Sequence, residues 1–231
     1  MNRIGIVGGL GPEATIDYYR IIIQSSYEKF KGRTPEIIIY SLDLTKFTNL
    51  MKSFNKEKDN IINYILKAVN ALNRVGASFA LIASNTPHIV FNEVKEKSSI
   101  PLISIVEETL KIVEEREIKR VGLFGTRFTM QSDFYQKVFS IKDIEVLTPN
   151  DVEQNYINYK IYDELRFGKI LKETKEGFLT IAKRMIDEYD IKGLILGCTE
   201  VPLLLTEEEY YGVPFFNTTK IHAESVLKYK L

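Results

Sequence analysis

Short, unbroken apolar runs alternate along this chain with longer segments in which apolar residues recur at helical spacing. The short runs are Arg3–Val7, Glu36–Tyr40, Phe79–Ala83 and Pro101–Ser104, then Arg120–Phe124, Asp143–Leu147, Lys192–Leu196 and Val213–Phe216. They are rich in Ile and Val and lack polar alternation, the pattern of strands covered on both faces. Between them, Ile61, Ile62, Ile65, Leu66, Val69, Leu72 and Val75 mark one face of a helix that Gly76 ends. Strand–helix alternation predicts βαβ units and parallel sheet.

The pattern occurs twice. "RIGIVGGLG" from Arg3 aligns with "RVGLFGTRF" from Arg120, and "IPLIS" from Ile100 aligns with "VPFFN" from Val213. Ser84 aligns with Cys198, each closing a strand and opening a polar turn. Three blocks in one order at nearly constant separation predict duplicated halves. The expected fold is α/β, with two pseudo-symmetric lobes, each a mainly four-stranded parallel sheet flanked by helices. Ligands of open α/β sheets bind at the carboxyl ends of the strands. The strand-end loops of both halves are therefore expected to face one inter-lobe cleft, with Ser84 and Cys198 on opposite sides. Opposed groups suit chemistry that exchanges the two faces of one carbon: a base removes a proton and an acid on the other face returns it.

Composition narrows the class. Thirty-one basic and 31 acidic side chains cancel, which argues against a nucleic-acid or acidic-lipid partner. No apolar run approaches the length of a membrane span, and the run in "MNRIGIVGG" is too short for a signal-peptide core. The single cysteine leaves no internal disulfide and fits a reducing compartment. A cytoplasmic protein without membrane or nucleic-acid partners is expected.

The loop "GGLGPEAT" follows the first strand. Gly9-x-Gly11-x-x-Ala14 fits a loose dinucleotide fingerprint, but Glu36 begins the second strand where that fingerprint wants an acid at its end. Pro12 suits a first helical turn. A small anion such as a substrate carboxylate, held by backbone N–H groups at the helix N-terminus, is the simpler ligand reading. A tight strand–helix turn without a ligand is the competing one.

"GGLGPEAT" at 8–15, "NTPH" at 85–88, "GTRFTM" at 125–130, "DEL" with Gly168, "GCTE" at 197–200 and "IHA" at 221–223 span nearly the whole chain. In these stretches and their order the chain resembles the aspartate/glutamate racemase family. The resemblance implies two lobes around a catalytic cleft, a homodimer, a small amino-acid substrate, and neither pyridoxal phosphate nor a metal. It also returns the C-terminal segment to the first lobe. The lobes would then be 1–104 with about 211–231, and about 105–210.

In the family pattern a cysteine sits at each strand end, one removing the α-proton and the other supplying one. Here Cys198 is present and Ser84 stands at the first position. A serine hydroxyl is a far weaker acid than a thiol and needs a partner base. His88, just past Pro87, is near enough in sequence to serve, but it also suits the opening of a helix; His222 is a packing residue or a neighbour of the cleft. Three readings of Ser84 stand. The chain is an asymmetric racemase in which Cys198 abstracts the proton and Ser84 relays its return. It is a one-cysteine enzyme similar to arylmalonate decarboxylases. Or Ser84 is a cysteine-to-serine change. From a different class comes a catalytically silent ligand-binding homologue.

Asn85, Thr86 and Thr199 would hold the substrate α-carboxylate by resemblance; turn formation and helix capping are their other role. Gly9 and Leu10, and Thr126 opposite Gly9 in the second half, would line the same site. A dicarboxylic substrate needs a cation for its second carboxylate. Arg166 in "DELRFG" is the first candidate, with Lys46 and Arg127 behind it. Glu200 orients a neighbour or caps a helix, and would oppose thiolate formation if it lay close to Cys198.

Overall fold

The computed structural model describes residues 3–229. The chain forms two compact units: one runs to Glu108 and resumes at Thr219, and the other is Thr109–Thr218.

In the first unit the order is β1 (Ile4–Gly8), α1 (Pro12–Lys29), β2 (Ile37–Ser41), α2 (Leu44–Lys52), α3 (Phe54–Arg74), β3 (Phe79–Ile82), a 3₁₀ turn (Thr86–Val90), α4 (Phe91–Lys97), β4 (Leu102–Ile103) and the start of α5 (Ile105–Glu115). The sheet is parallel, in the order β2-β1-β3-β4. Alternate side chains of a strand face opposite sides, and the two faces feed two cores. Val7, Ala80 and Ile82 pack with Ile61, Ile65 and Leu72 of α3. Ile4, Ile6, Phe79 and Leu81 pack with Tyr18 and Ile22 of α1 and with Ala223 and Val226 near the C-terminus. The apolar face expected on α3 is buried as far as Leu72, but Val75 lies at the C-cap and is 56% exposed. Gly76, at φ 89°, turns the chain there.

The second unit continues with β5 (Arg120–Phe124), α6 (Arg127–Gln131), α7 (Phe134–Phe139), β6 (Glu145–Leu147), α8 (Asp151–Asp163), α9 (Lys172–Tyr189), β7 (Gly193–Leu196), α10 (Val201–Leu204), β8 (Glu209–Tyr210) and β9 (Val213–Asn217). α11 (Thr218–Ser225) then leads into the first unit. The sheet order is β6-β5-β7-β9-β8. All eight anticipated strands are present. The ninth, β8, is a two-residue antiparallel edge on β9. β9 is hydrogen-bonded to β7, so the chain returns to the first unit at Thr219 and not at about residue 211.

The duplication extends to single hydrogen bonds. Arg3 pairs with Glu36 at 2.6 Å and donates to the Val75 carbonyl past α3; Arg120 pairs with Glu145 at 2.9 Å and donates to the Tyr189 carbonyl at the end of α9. The Ala83 N–H donates to the Val7 carbonyl at 2.9 Å, and the Gly197 N–H donates to the Phe124 carbonyl at 2.7 Å. Ser84 and Cys198 are the next residues. Each therefore leaves its sheet at the same register against the first strand of its unit, β1 or β5.

Candidate active site

The thiol end of the second unit is tightly built. A Cβ on Gly197 would lie 2.8 Å from Leu123 Cδ1 and 3.0 Å from the Phe124 carbonyl oxygen, so only glycine lets the turn pass this close to β5. Cys198 follows, 7% exposed. Its thiol donates to Glu200 Oε2 at 2.9 Å, and the Thr199 hydroxyl donates to the same oxygen at 2.8 Å. Burial pushes the thiol pKa well above its ordinary value, and the Glu200 carboxylate adds to the shift; Arg166 opposes it. The resting thiol is thus protonated and aimed at a carboxylate. Glu200 precedes α10 but makes no side-chain cap bond, so of its two anticipated roles the structure shows orientation of neighbours.

Arg166 lies in a 3₁₀ turn (Leu165–Phe167) after α8, its guanidinium 4.9 Å from the Tyr162 ring centroid. Tyr162 was not singled out from the sequence. Its pKa is raised, first by burial, and it feels the charges of Arg166, Cys198 and Glu200. Its spacing of four residues from Arg166 is a weak signal in the sequence, because α8 ends at Asp163, between the two. Thr126 caps α6, accepting the Thr129 N–H at 3.3 Å, and its hydroxyl lies 3.1 Å from that of Thr129. Arg127 is exposed, and its backbone N–H donates to Asn158.

In the first unit Ser84 is 8% exposed and Asn85 4% exposed, with Thr86 half-buried. The Ser84 N–H closes on the Ile82 carbonyl at 2.8 Å, which turns the chain out of the sheet. Thr86 begins the 3₁₀ turn; Asn85 holds the capping position, without a side-chain cap bond. Gly9, at φ 82°, is fixed by sterics, since a Cβ there would lie 2.1 Å from the Leu42 carbonyl oxygen. Its N–H donates to Thr15 Oγ1 at 2.9 Å, which satisfies that amide within the loop, and Leu10 is buried. Lys46 is exposed in the first turns of α2, with its ammonium 4.8 Å from the Tyr64 ring centroid. It lines an open depression of about 450 Å³ with Asp43, Asn49, Leu50 and Glu57.

Neither histidine is placed to serve as a base. His88 Nδ1 donates to the Ser84 carbonyl at 2.9 Å, and Nε2 accepts the Ile105 N–H at 3.1 Å. His222 Nε2 donates to the Ile103 carbonyl at 3.0 Å, and Nδ1 lies 2.8 Å from the Tyr18 hydroxyl. A carbonyl only accepts and an amide only donates, so the tautomer of His88 is fixed by its partners. Burial lowers His88 to about 4 and His222 to about 3. Both rings are neutral at pH 7 and have no nitrogen left for Ser84 Oγ.

Two copies of one parallel α/β unit thus carry a thiol hydrogen-bonded to a carboxylate at one strand end and a serine at the matching strand end of the other. The chain belongs to the Asp/Glu/hydantoin racemase family, whose model matches residues 7–226. It is 27% identical to the broad specificity amino-acid racemase RacX of Bacillus subtilis over 228 residues, covering 97% of this chain and 96% of that protein. It is 36% identical to an aspartate racemase homologue from Pyrococcus horikoshii, with a TM-score of 0.83 over 99% of both chains. A Yersinia pestis crystal structure matches at 31% identity, with a TM-score of 0.88 over 99% of both chains. No helix among the described residues is long and apolar enough to cross a membrane.

Proposed function

We propose that the protein is an amino-acid racemase working without pyridoxal phosphate on aspartate- or glutamate-like substrates. Cys198 serves one face of the α-carbon and Ser84 the other. The observation that carries this reading is the Cys198 thiol hydrogen-bonded to Glu200 at the strand end equivalent to that of Ser84. In one direction the thiol passes its proton to Glu200 as the sulfur takes the α-proton, Ser84 relays a proton from water to the opposite face, and the proton on Glu200 neutralises the hydroxide left behind. In the other direction hydroxide receives the α-proton through Ser84, the thiol supplies the new one, and Glu200, protonated in that state, returns a proton to the sulfur. Asn85, Thr86 and Thr199 hold the α-carboxylate, with Gly9, Leu10 and Thr126 lining the site. Donors arranged in advance would stabilise the carbanion-like charge. The relatives named above support an amino-acid substrate. A cytoplasmic homodimer is part of the same proposal.

Proton exchange at the α-carbon tests it. L- and D-aspartate and L- and D-glutamate are incubated separately in deuterated water and followed by NMR, beside Cys198→Ala. Exchange with inversion, lost in the variant, is expected. Exchange without inversion would show a working thiol and an ineffective Ser84. A protonated thiol also suits a one-cysteine decarboxylase, in which it acts only as an acid. No exchange with any amino acid, together with turnover of an arylmalonate, would replace the racemase reading by that one.

Arg166 is the proposed partner of the side-chain carboxylate, with Lys46 as the second candidate. Arg166 is near enough to influence both Cys198 and Tyr162. A hydrogen bond to a charged group contributes about 1.5–3 kcal/mol. Arg166→Ala is therefore expected to lower kcat/KM for dicarboxylic substrates by about 10–100-fold and to leave alanine or serine nearly unchanged. Equal losses on both kinds of substrate would remove the contact.

A further inference from the structure

We propose that His88 is a positioning residue for the turn that carries Ser84, through a single neutral imidazole that joins the end of β3 to the first turn of α5. The inference rests on the reading that Ser84 takes part in the reaction.

β3 ends at Ile82, so the Ser84 carbonyl has no place in the ladder. Ile105 begins α5, and the first N–H groups of a helix have no partner within it. One side chain answers both needs: His88 Nδ1–H meets the acceptor at 2.9 Å, and Nε2 meets the donor at 3.1 Å. A buried backbone group without a partner is costly, so the ring fixes the direction in which the chain leaves the sheet. The ring is itself held. It stacks on Phe91, with centroids 4.9 Å apart and planes at 9°. It also meets His222 edge-on at 5.9 Å. His222 is anchored to the Ile103 carbonyl and Tyr18, so α1, β4 and α11 all brace the turn. His88 does not touch Ser84 Oγ; it acts through the Ser84 backbone.

The chain has two histidines, and long-range proton–nitrogen NMR on the labelled protein reads both tautomers. His88 is expected as Nδ1–H and His222 as Nε2–H, both neutral at pH 7. An Nε2–H or charged His88 overturns the proposal. Two half-mimics then separate the contacts. The amide of Asn reaches the Nδ1 position of a histidine, and the amide of Gln reaches the Nε2 position. His88→Asn should keep the Ser84 tie and speed hydrogen exchange of the Ile105 amide by about tenfold. His88→Gln should do the reverse: with the Ser84 carbonyl untied the turn loosens, so exchange of the Ser84 N–H from its bond to the Ile82 carbonyl should speed up by about tenfold and kcat should fall by a similar factor at unchanged KM. Loss of kcat that follows the Ile105 amide, or equal loss in both variants, overturns the positioning role. If the wild-type protein turns over no amino acid, the racemase reading fails, while the tautomers and the two exchange patterns still decide whether His88 sets the turn.

Discussion

Cys198→Ala is expected to lower α-proton exchange by about 10²–10⁴-fold, the usual contribution of a positioned acid or base. The thiol is buried and already hydrogen-bonded to the carboxylate that would receive its proton. Enantiomers have equal free energy, so the loss in kcat/KM must be the same from the L and the D substrate. Glu200→Gln separates the two effects of the carboxylate. Its charge holds the thiol protonated, second only to burial. The amide should therefore move thiol ionisation to lower pH while also lowering kcat, because it cannot take up the proton. A pH profile unchanged by Glu200→Gln would remove Glu200 from the proton path. Full activity in Cys198→Ala would remove the thiol mechanism itself.

Below pH 6.5 the protein is expected to lose stability steeply. His88 and His222 are neutral and buried when folded, with pKa values lowered to about 4 and about 3. In the unfolded chain each titrates near 6.5. Well above that pH neither state binds the protons, and the contribution to stability is complete. As pH falls, the unfolded chain takes up protons that the folded chain refuses, until the folded pKa is reached. Between pH 7 and 5 the two rings together account for about 4 kcal/mol. That is a large share of the ~5–15 kcal/mol that holds a typical domain together. Most carboxylates titrate below this window, which isolates the histidines. Urea unfolding followed from pH 7 to 5 checks it: the midpoint should fall throughout. A flat profile would mean that the rings are hydrated or charged in the fold.

Much of the architecture was legible in the linear pattern, because apolar runs and helical spacing are local consequences of which faces are covered. Ile4, Ile6 and Val7 are all fully buried, as an unalternated run requires in a sheet packed on both sides. The return of the C-terminal segment was misplaced because Val213–Asn217 belongs to whichever sheet accepts its hydrogen bonds, and strand composition is blind to that choice. The role of Val75 was misread for a related reason: periodicity continues past the residue at which the backbone turns away. Within the site, the positions of Ser84 and Cys198 at matching strand ends were readable from the repeat. The thiol's attachment to Glu200 was visible only as adjacency. Glu200 two residues on can point to a helix end or back to the sulfur, and backbone turn geometry decides between them.

The sequence by itself determined two parallel α/β units, the register of the repeat, and a lone thiol set against a serine. Those features follow from short-range patterning of apolar residues and glycines. Tertiary structure alone decided the state of the chemistry. His88 finds its acceptor four residues away but its donor at Ile105, 17 residues on, and His222 finds the Ile103 carbonyl across 119 residues. A histidine's tautomer and charge are set by the partners and the burial it meets in space. The same folding that leaves both rings neutral leaves Cys198 protonated, because burial penalises charge wherever no partner offsets it.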